Sequence, residues 1–218
     1  MCFSATASFV TAATTGIIGI VAVTRVSTPR ELPLAAACLV FALQQSIEGL
    51  LWLNLSSAPG GVASTGLILA FLFFAEVFWP IYAPIAVLLI EPSETRRRLM
   101  WPCLGLGIAV GAWFFWAIIT RTHGAAVLQG HIVYVTEHRF PAAVGLAYLA
   151  ATSLSLILSS RRTVALLGAI VLVGCVATYA FYWEAFVSVW CFFAAAASVV
   201  ILGHFELRRR RQLGAAGA

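Results

Sequence analysis

The strongest constraint on the fold is a set of seven long apolar segments separated by short polar breaks. A helix that crosses a bilayer needs about 20 apolar residues, and each segment reaches or approaches that length. Only 10% of the residues are charged, whereas a soluble domain carries about 25%. The sequence therefore predicts an all-α integral membrane bundle of seven transmembrane helices. The predicted spans cover residues 4–24, 33–55, 62–90, 99–120, 141–160, 163–182 and 184–206.

The arginines are distributed unevenly over the breaks between these spans. Arg121 and Arg139 lie on one side of the predicted membrane, and the other arginines lie on the opposite side. Because positive residues stay in the cytoplasm, we expect the amino terminus outside and the carboxyl terminus in the cytoplasm of a cell (inner) membrane. An even number of spans would place the basic segments on opposite faces. The cytoplasmic arginines are Arg25, Arg30, Arg96, Arg97, Arg98, Arg161, Arg162, Arg208, Arg209, Arg210 and Arg211.

The chain is expected to form one domain over residues 1–207, followed by a basic cytoplasmic tail over residues 208–218. We expect the tail to be unstructured and its four arginines to anchor the chain to anionic lipid, each contributing about 1 kcal/mol. Gly107 and Gly111 are four residues apart in the fourth span. This small-residue spacing is typical of close helix packing or of a homodimer. We expect no nucleic-acid partner.

The chain contains no lysine. This excludes a retinal Schiff base, a pyridoxal-phosphate enzyme and a P-loop, because each of them requires a lysine. Of the histidines, only His204 lies within a predicted span, so we expect no haem held by two histidines. The cofactor is therefore unknown from the sequence, with Zn or Cu as the metal ions that the remaining residues favour.

Glu48 is one of two acids inside predicted spans, where an ionisable group costs about 2.5–3.5 kcal/mol on insertion scales. Gln44 and Glu48 are one helical turn apart and share a face, with Gln45 beside them. Glu48 is about 10 Å from the outer end of its span, so we expect it in the outer half of the membrane, facing the bundle interior. The cluster predicts a functional site with Glu48 as the candidate catalytic group. The alternative is a structural glutamate held by two glutamine hydrogen bonds.

Glu76 is the second such acid and lies near the middle of the third span, four residues before Pro80. Pro80 lacks the amide that would bond the carbonyl of residue 76, and Pro84 does the same to residue 80. We interpret this pattern as a kinked helix beside a cavity or a neighbouring polar side chain. The alternative is a protonated glutamate bonded to another helix.

The outer connection over residues 121–140 is the longest and contains His123, His131 and His138. Alternating residues over 131–136, including Tyr134, predict a short strand or a re-entrant segment. Topology brings these residues to the same side as Cys2, Tyr182 and Glu184. A thiolate, imidazoles and a carboxylate suit Zn or Cu. The predicted metal ligands are therefore Cys2, His131 and His138, and the predicted ligand or polar-core residues are Gln44, Gln45, Glu48, Glu76, Tyr134, Tyr182 and Glu184.

Two motifs carry a resemblance: Met-Cys-Phe-Ser at residues 1–4 and Gln-Gln-Ser-Ile-Glu-Gly-Leu at residues 44–50. With them the chain resembles a bacterial family of small multi-span membrane proteins of unknown function, which opens with Met-Cys-Phe-Ser or Met-Cys-Trp-Ser. The resemblance implies a polytopic membrane protein. It implies no activity and no ligand set.

Three functions remain open at this point. The first is binding or sensing of a small ligand or metal ion at an outward-facing polar site built from Cys2, Glu48 and His131, or in an aromatic pocket under the outer loop. The second is a membrane-embedded metal-dependent hydrolase, in which the metal activates water and a carboxylate is the base. The third is a small transporter or proton pathway that uses Glu48 and Glu76. Binding or sensing ranks first, and the sequence leaves open whether the chain is an enzyme.

Overall fold

A computed structural model describes residues 4–57, 61–128, 130–136, 142–181, 195 and 197–216. The chain is mostly helical, as the hydropathy pattern predicts. The described helices are α1 Ala5–Thr24, α2 Leu32–Ser57, α3 Val62–Leu72, α4 Trp79–Ile90, α5 Glu94–Thr120, α6 Ala142–Leu149, α7 Ser155–Ile157, α8 Arg162–Phe181 and α9 Ser198–Ala216. Two π-helical segments, Phe73–Phe78 and Ala150–Leu154, join α3 to α4 and α6 to α7 without a break.

Four helical stretches in the described part of the chain are long and apolar enough to cross a membrane. They are Ala5–Thr24, Pro29–Ser56, Ser64–Ile90 and Glu94–Thr120. Two shorter apolar helices, Ala142–Ile157 and Arg162–Thr178, follow them. The first four predicted spans therefore coincide with helices of spanning length. Much of the predicted seventh span, residues 184–194, lies outside the described residues.

Small residues bring α1 and α2 together along their length. The buried face of α1 consists of small side chains only, so the two backbones can approach closely. Ser4 caps the helix, because its hydroxyl oxygen accepts a hydrogen bond from the Ala7 amide at 3.1 Å. The buried residues of α1 are Ser8, Ala12, Thr15, Gly19 and Ala22.

The third apolar stretch is interrupted by a π-helical turn just before Pro80. In this turn the Trp79 amide donates to the Phe74 carbonyl, five residues earlier. By the same spacing, the amide that Pro80 lacks would have bonded Ala75. The Tyr148 hydroxyl donates to the Ala75 carbonyl instead, at 2.6 Å. The carbonyl group that loses its amide partner to Pro80 is therefore that of residue 75. The sequence-based prediction, which used α-helical spacing, named residue 76.

The two glycines of α5 lie against this proline-containing segment of the same chain. Gly107 and Gly111 are buried, and a methyl group at Gly107 would overlap the Pro80 carbonyl oxygen. At Gly111 it would lie 3.1 Å from the Val77 carbonyl oxygen. Of the two predicted uses of these glycines, close packing is thus confirmed within one chain. A homodimer through them would have to displace α4, and for that reason we do not retain it.

A β-hairpin follows α5. Strands β1 His123–Leu128 and β2 His131–Thr136 pair antiparallel, with His123 opposite Thr136 and Leu128 opposite His131. Gly130 has a φ of 77° in the turn, a left-handed conformation that glycine adopts without strain. The predicted strand over 131–136 is confirmed. The hairpin packs on α2 and α3.

At the end of the bundle opposite the hairpin, charged turns from several of the breaks contact one another. Arg96 at the start of α5 donates to the Leu158 carbonyl at 2.8 Å. Arg161 donates through Nε to the Ile90 carbonyl at 3.1 Å. Three arginine-bearing segments that the sequence analysis assigned to one side, those of α5, α8 and α9, thus meet at one end.

Two boundaries differ from the sequence-based expectation. The helix of the fourth predicted span, α5, begins at Glu94 and not at residue 99, because Ser93 caps it through a hydrogen bond from the Arg96 amide at 3.4 Å. The tail was expected to be unstructured, but α9 continues to Ala216. The tail residues are good helix formers, and Arg210 bonds Glu206 one turn earlier at 3.2 Å.

We predict that Gly107→Ala strongly destabilises the protein, because the new methyl group meets the backbone oxygen of Pro80 and cannot rotate away. Gly105→Ala is the matched control in the same helix, since a methyl group there has nothing within 4 Å. The measurement is the apparent Tm in detergent. An equal Tm for the two variants would contradict the packing described here.

We predict that Glu91 stabilises the end of the bundle that contains the charged turns in a pH-dependent way. Burial raises the pKa of Glu91, but hydrogen bonds from Ser160, Ser93 and Ser159 outweigh burial and hold the pKa below its usual range. Such a group stabilises the fold above its unfolded-state pKa of about 4.3, and this contribution disappears as the pH falls through the folded-state pKa.

Glu91→Gln should therefore lower the Tm at pH 7, consistent with a loss of about 1.5–3 kcal/mol for hydrogen bonds to a charged group. The difference from the wild type should shrink as the pH approaches 3. Glu94→Gln is the control, because the Glu94 side chain is 82% exposed. A pH-independent difference would exclude the charge as its cause.

Candidate functional site

The polar residues of α2 are buried, as the sequence predicts. Gln44 and Glu48 are 0% exposed and Gln45 is 1% exposed. The Gln45 side-chain amide donates to a Glu48 carboxyl oxygen at 3.3 Å. One of the two glutamines predicted to hold Glu48 therefore does so within α2.

Gln44 connects α2 to α4. The Trp79 indole N–H donates to the Gln44 side-chain oxygen at 2.7 Å. The Trp79 ring also stacks on Phe41, with ring centroids 3.9 Å apart. This pair fixes the rotation of α4 relative to α2, because the hydrogen bond and the stacked rings both require one orientation of the indole.

Glu76 lies in the π-helical turn, three residues before Trp79, and is 6% exposed. Within the part of the chain that the structure describes, its carboxyl group has no hydrogen-bond partner. The carbonyl group of the preceding residue, Ala75, accepts a hydrogen bond from the Tyr148 hydroxyl. We call Gln44, Gln45, Glu48, Glu76 and Trp79 the polar cluster.

Trp52 adds a hydrogen-bond donor on the same face of α2. It lies one turn beyond Glu48 and two turns beyond Gln44. It is 9% exposed, and its indole nitrogen is buried without a hydrogen-bond partner among the described residues. From the sequence alone Trp52 would be placed in the interfacial belt, because tryptophans near span ends usually belong to it.

The hairpin covers the bundle next to the polar cluster. Tyr134 stacks on Phe71 of α3 with centroids 4.8 Å apart and planes 4° apart. Phe71 and Ala75 pack together with Ile47, the residue before Glu48. Tyr134 therefore lies at the level of the bundle that contains Glu48 and Glu76.

His131, at the start of β2, is half-buried. Burial lowers the pKa of its imidazole, so the neutral form dominates at pH 7. A neutral imidazole is the form that binds a metal ion.

Several predicted site residues lie outside the described residues: Cys2, His138, Tyr182 and Glu184. The same holds for the side chain of Arg211. Among the described residues, no group of three or more histidine, cysteine or acidic side chains is placed to hold a metal ion. The structure thus leaves the predicted Cys2–His131–His138 metal set as a prediction.

An apolar cleft of about 70 Å³ adjoins the polar cluster at Trp79. Phe41, Trp79 and Tyr82 form its aromatic part, and Thr152 lies opposite. The α2 residues that line it precede Gln44, so the cleft extends from Trp79 towards the start of α2. The aromatic pocket of the sequence-based hypothesis was expected under the outer loop, at the other end of this helix.

Trp79 and Tyr148 make hydrogen bonds between helices that were not predicted from the sequence. Both are aromatic residues with a polar atom, well inside a predicted span rather than at its ends. That position is a usable signal, because a buried tryptophan or tyrosine normally finds a partner for its N–H or O–H group. Which partner it finds is not readable from the sequence.

The comparisons with known proteins agree with the resemblance seen in the sequence. The model of a family of unknown function, DUF6629, matches residues 1–216. No curated protein and no solved structure matches the chain. Since the match covers almost the whole sequence, the chain belongs to this family of unknown function.

Proposed function

We propose that the chain is a seven-span protein of the inner membrane, with its amino terminus outside and its carboxyl terminus in the cytoplasm. Four helical stretches of spanning length support a membrane location. The asymmetric arginines support the orientation. The contacts of Arg96 and Arg161 with neighbouring turns support a common face for these basic segments.

We further propose that the protein binds or senses a small ligand at the polar cluster and does so without catalysis. The observation that carries this proposal is the pair of buried carboxyl groups on packed apolar helices, of which that of Glu76 has no partner among the described residues. A carboxyl group in an apolar bundle costs several kcal/mol. Such a group is typical of a site whose partner is a ligand.

The chemistry of the polar cluster favours a ligand that is cationic or rich in hydrogen-bond donors. Glu48 and Glu76 supply carboxyl oxygens, and the aromatic faces of Phe41 and Trp79 are close by. Carboxylates and aromatic faces both attract small cations. A protonated amine and a metal ion fit this description, and His131 on the hairpin adds an imidazole for the metal ion.

A proton or cation pathway is the second candidate, and one observation favours it. Glu76 lies in a π-helical turn followed by Pro80 and Pro84. Such turns are frequent at functional sites, and intramembrane acids often serve as relays. Glu48 on α2 would be the neighbouring acid of such a pathway.

The test of ligand binding uses purified protein in detergent, with ethylammonium chloride and zinc chloride as probes and sodium chloride as the ionic-strength control. We expect a saturable rise in Tm with one of the two probes. Glu48→Gln and Glu76→Gln should weaken this binding about tenfold or more, because each removes a charge but keeps the shape. Glu94→Gln, at an exposed position, should bind as the wild type does. Unchanged binding in both buried variants would refute the proposal.

Two further measurements separate the alternatives. Proton uptake by proteoliposomes containing a pH-sensitive dye should be lost in Glu76→Gln if the chain is a pathway, and should be absent from the wild type if it only binds. Metal content by mass spectrometry on Cys2→Ala and His131→Ala distinguishes a metal ion from an organic cation. Near-stoichiometric Zn or Cu in the wild type, lost in both variants, identifies the metal.

A further inference from the structure

A second cavity, which is polar, lies at the end of the bundle opposite the hairpin. It has a volume of about 470 Å³, within the range of small-molecule sites. It opens between the first turn of α8 and the middle turns of α9. Its polar lining consists of Ser160, Arg161, Arg162, Thr163, His204 and Arg208.

The arginines of this cavity are only partly neutralised by carboxylates. Arg208 forms an ion pair with the buried Glu31. Arg161 donates to a neutral acceptor, the Ile90 carbonyl. Arg162 is exposed and has no ion pair or hydrogen bond with any described residue. Two adjacent guanidinium groups therefore border the cavity without a carboxylate partner in the part of the chain that the structure describes.

Another carboxylate at this end of the bundle, Glu91, is already occupied. Its oxygens accept hydrogen bonds from the Ser159 hydroxyl at 3.0 Å, from the Ser160 amide at 2.8 Å and from the Ser93 amide at 3.1 Å. The Ser160 hydroxyl also donates to it. Glu91 thus holds the turn before α8 in place and does not pair with Arg161 or Arg162.

Backbone amide groups add to the positive character of the cavity. The 20-residue helix α8 begins at Arg162, and the first amides of a helix have no acceptor within the helix and attract anions. Thr163 lines the cavity, and its hydroxyl is hydrogen-bonded to the His204 imidazole on α9. Guanidinium groups and a helix start together form a donor set that recognises phosphate.

The surface next to the cavity is apolar. Leu207 lines the cavity and is 50% exposed. Leu166 and Ile170, one and two turns after Arg162 on α8, are also exposed. A ligand with a phosphate group and a hydrocarbon chain fits this arrangement, because its phosphate would contact the arginines and its chain would contact the apolar residues.

We propose that this cavity binds the phosphate group of an anionic phospholipid, with Arg161 and Arg162 as the charged contacts and the α8 surface below them in contact with an acyl chain. Basic pockets between helices at the cytoplasmic side of membrane proteins bind lipid headgroups in this way. The site is separate from the polar cluster and does not depend on the ligand proposed there. It differs from diffuse attraction by the tail arginines because it is a defined cavity at a helix start.

The test is native mass spectrometry of the full chain in detergent with dioleoylphosphatidylglycerol, and with dioleoylphosphatidylcholine as the uncharged comparison. The wild type should retain the anionic lipid preferentially. Arg162→Gln should weaken this binding about tenfold, and Arg162→Lys should restore part of it, because the charge returns without the planar guanidinium. Arg97→Gln is the matched control: Arg97 is an exposed arginine of α5, whose start lies at the same end of the bundle.

Arg162 has no partner among the described residues, so its variants are expected to fold. Size-exclusion chromatography and the Tm are the measurements that check this. The proposal is overturned if Arg97→Gln weakens lipid binding as much as Arg162→Gln, or if the two lipids bind equally to the wild type. A competition arm with glycerol 3-phosphate identifies the source of the phosphate. If glycerol 3-phosphate displaces the lipid at concentrations similar to those of the lipid, the cavity is an anion site for a soluble phosphate ester, and the lipid proposal is overturned.

Discussion

The hydrogen bond from Tyr148 to the Ala75 carbonyl is the interaction on which the middle of the bundle depends. An apolar helix cannot leave a carbonyl group unsatisfied where water is absent, and Pro80 removes the amide that would have served Ala75. The Tyr148 hydroxyl replaces that amide at 2.6 Å. As a consequence, α6 is held beside the π-helical segment Phe73–Phe78, and Gly107 allows α5 to approach the adjoining Pro80.

The π-helical turn also determines where the chemical groups of the polar cluster lie. The π-helical turn contains Glu76 and leads directly into Trp79, whose indole N–H reaches Gln44 on α2. A regular α-helix through these residues would rotate Trp79 relative to Glu76 by a different amount. The departure from α-helical geometry therefore determines how Glu76 and Trp79 are oriented relative to α2. This coupling explains why a costly buried carboxyl group lies beside two prolines.

The two ends of the bundle differ in character. At one end the hairpin packs its strands over α2 and α3, and Tyr134 stacks on Phe71. At the other end, serine hydroxyls, arginines and two buried glutamates connect the turns, and a cavity opens at the start of α8. The proposed cation-attracting cluster and the proposed phosphate site thus have opposite electrostatic character and are built from different helices.

Much of the fold could be predicted from the sequence, because hydropathy, proline positions and strand alternation are local properties. They predicted helices of spanning length, the strand at 131–136 and the burial of Gln44, Gln45 and Glu48. The helical tail was predicted incorrectly, because composition alone does not reveal the pairing of Glu206 with Arg210. The candidate site was predicted only in part, since Trp79 and Tyr148 acquire their roles from partners on other helices.

The sequence by itself therefore determined which segments are apolar, which acids are buried within them and where the arginines accumulate. Only the tertiary structure decided which side chains meet. Trp79 and Gln44 are 35 residues apart, and Tyr148 and Ala75 are 73 apart. Contacts over such separations depend on helix rotation and register, and a single π-helical turn changes both. The hydropathy of a segment is unaffected by that turn, so no pattern in the sequence reports it.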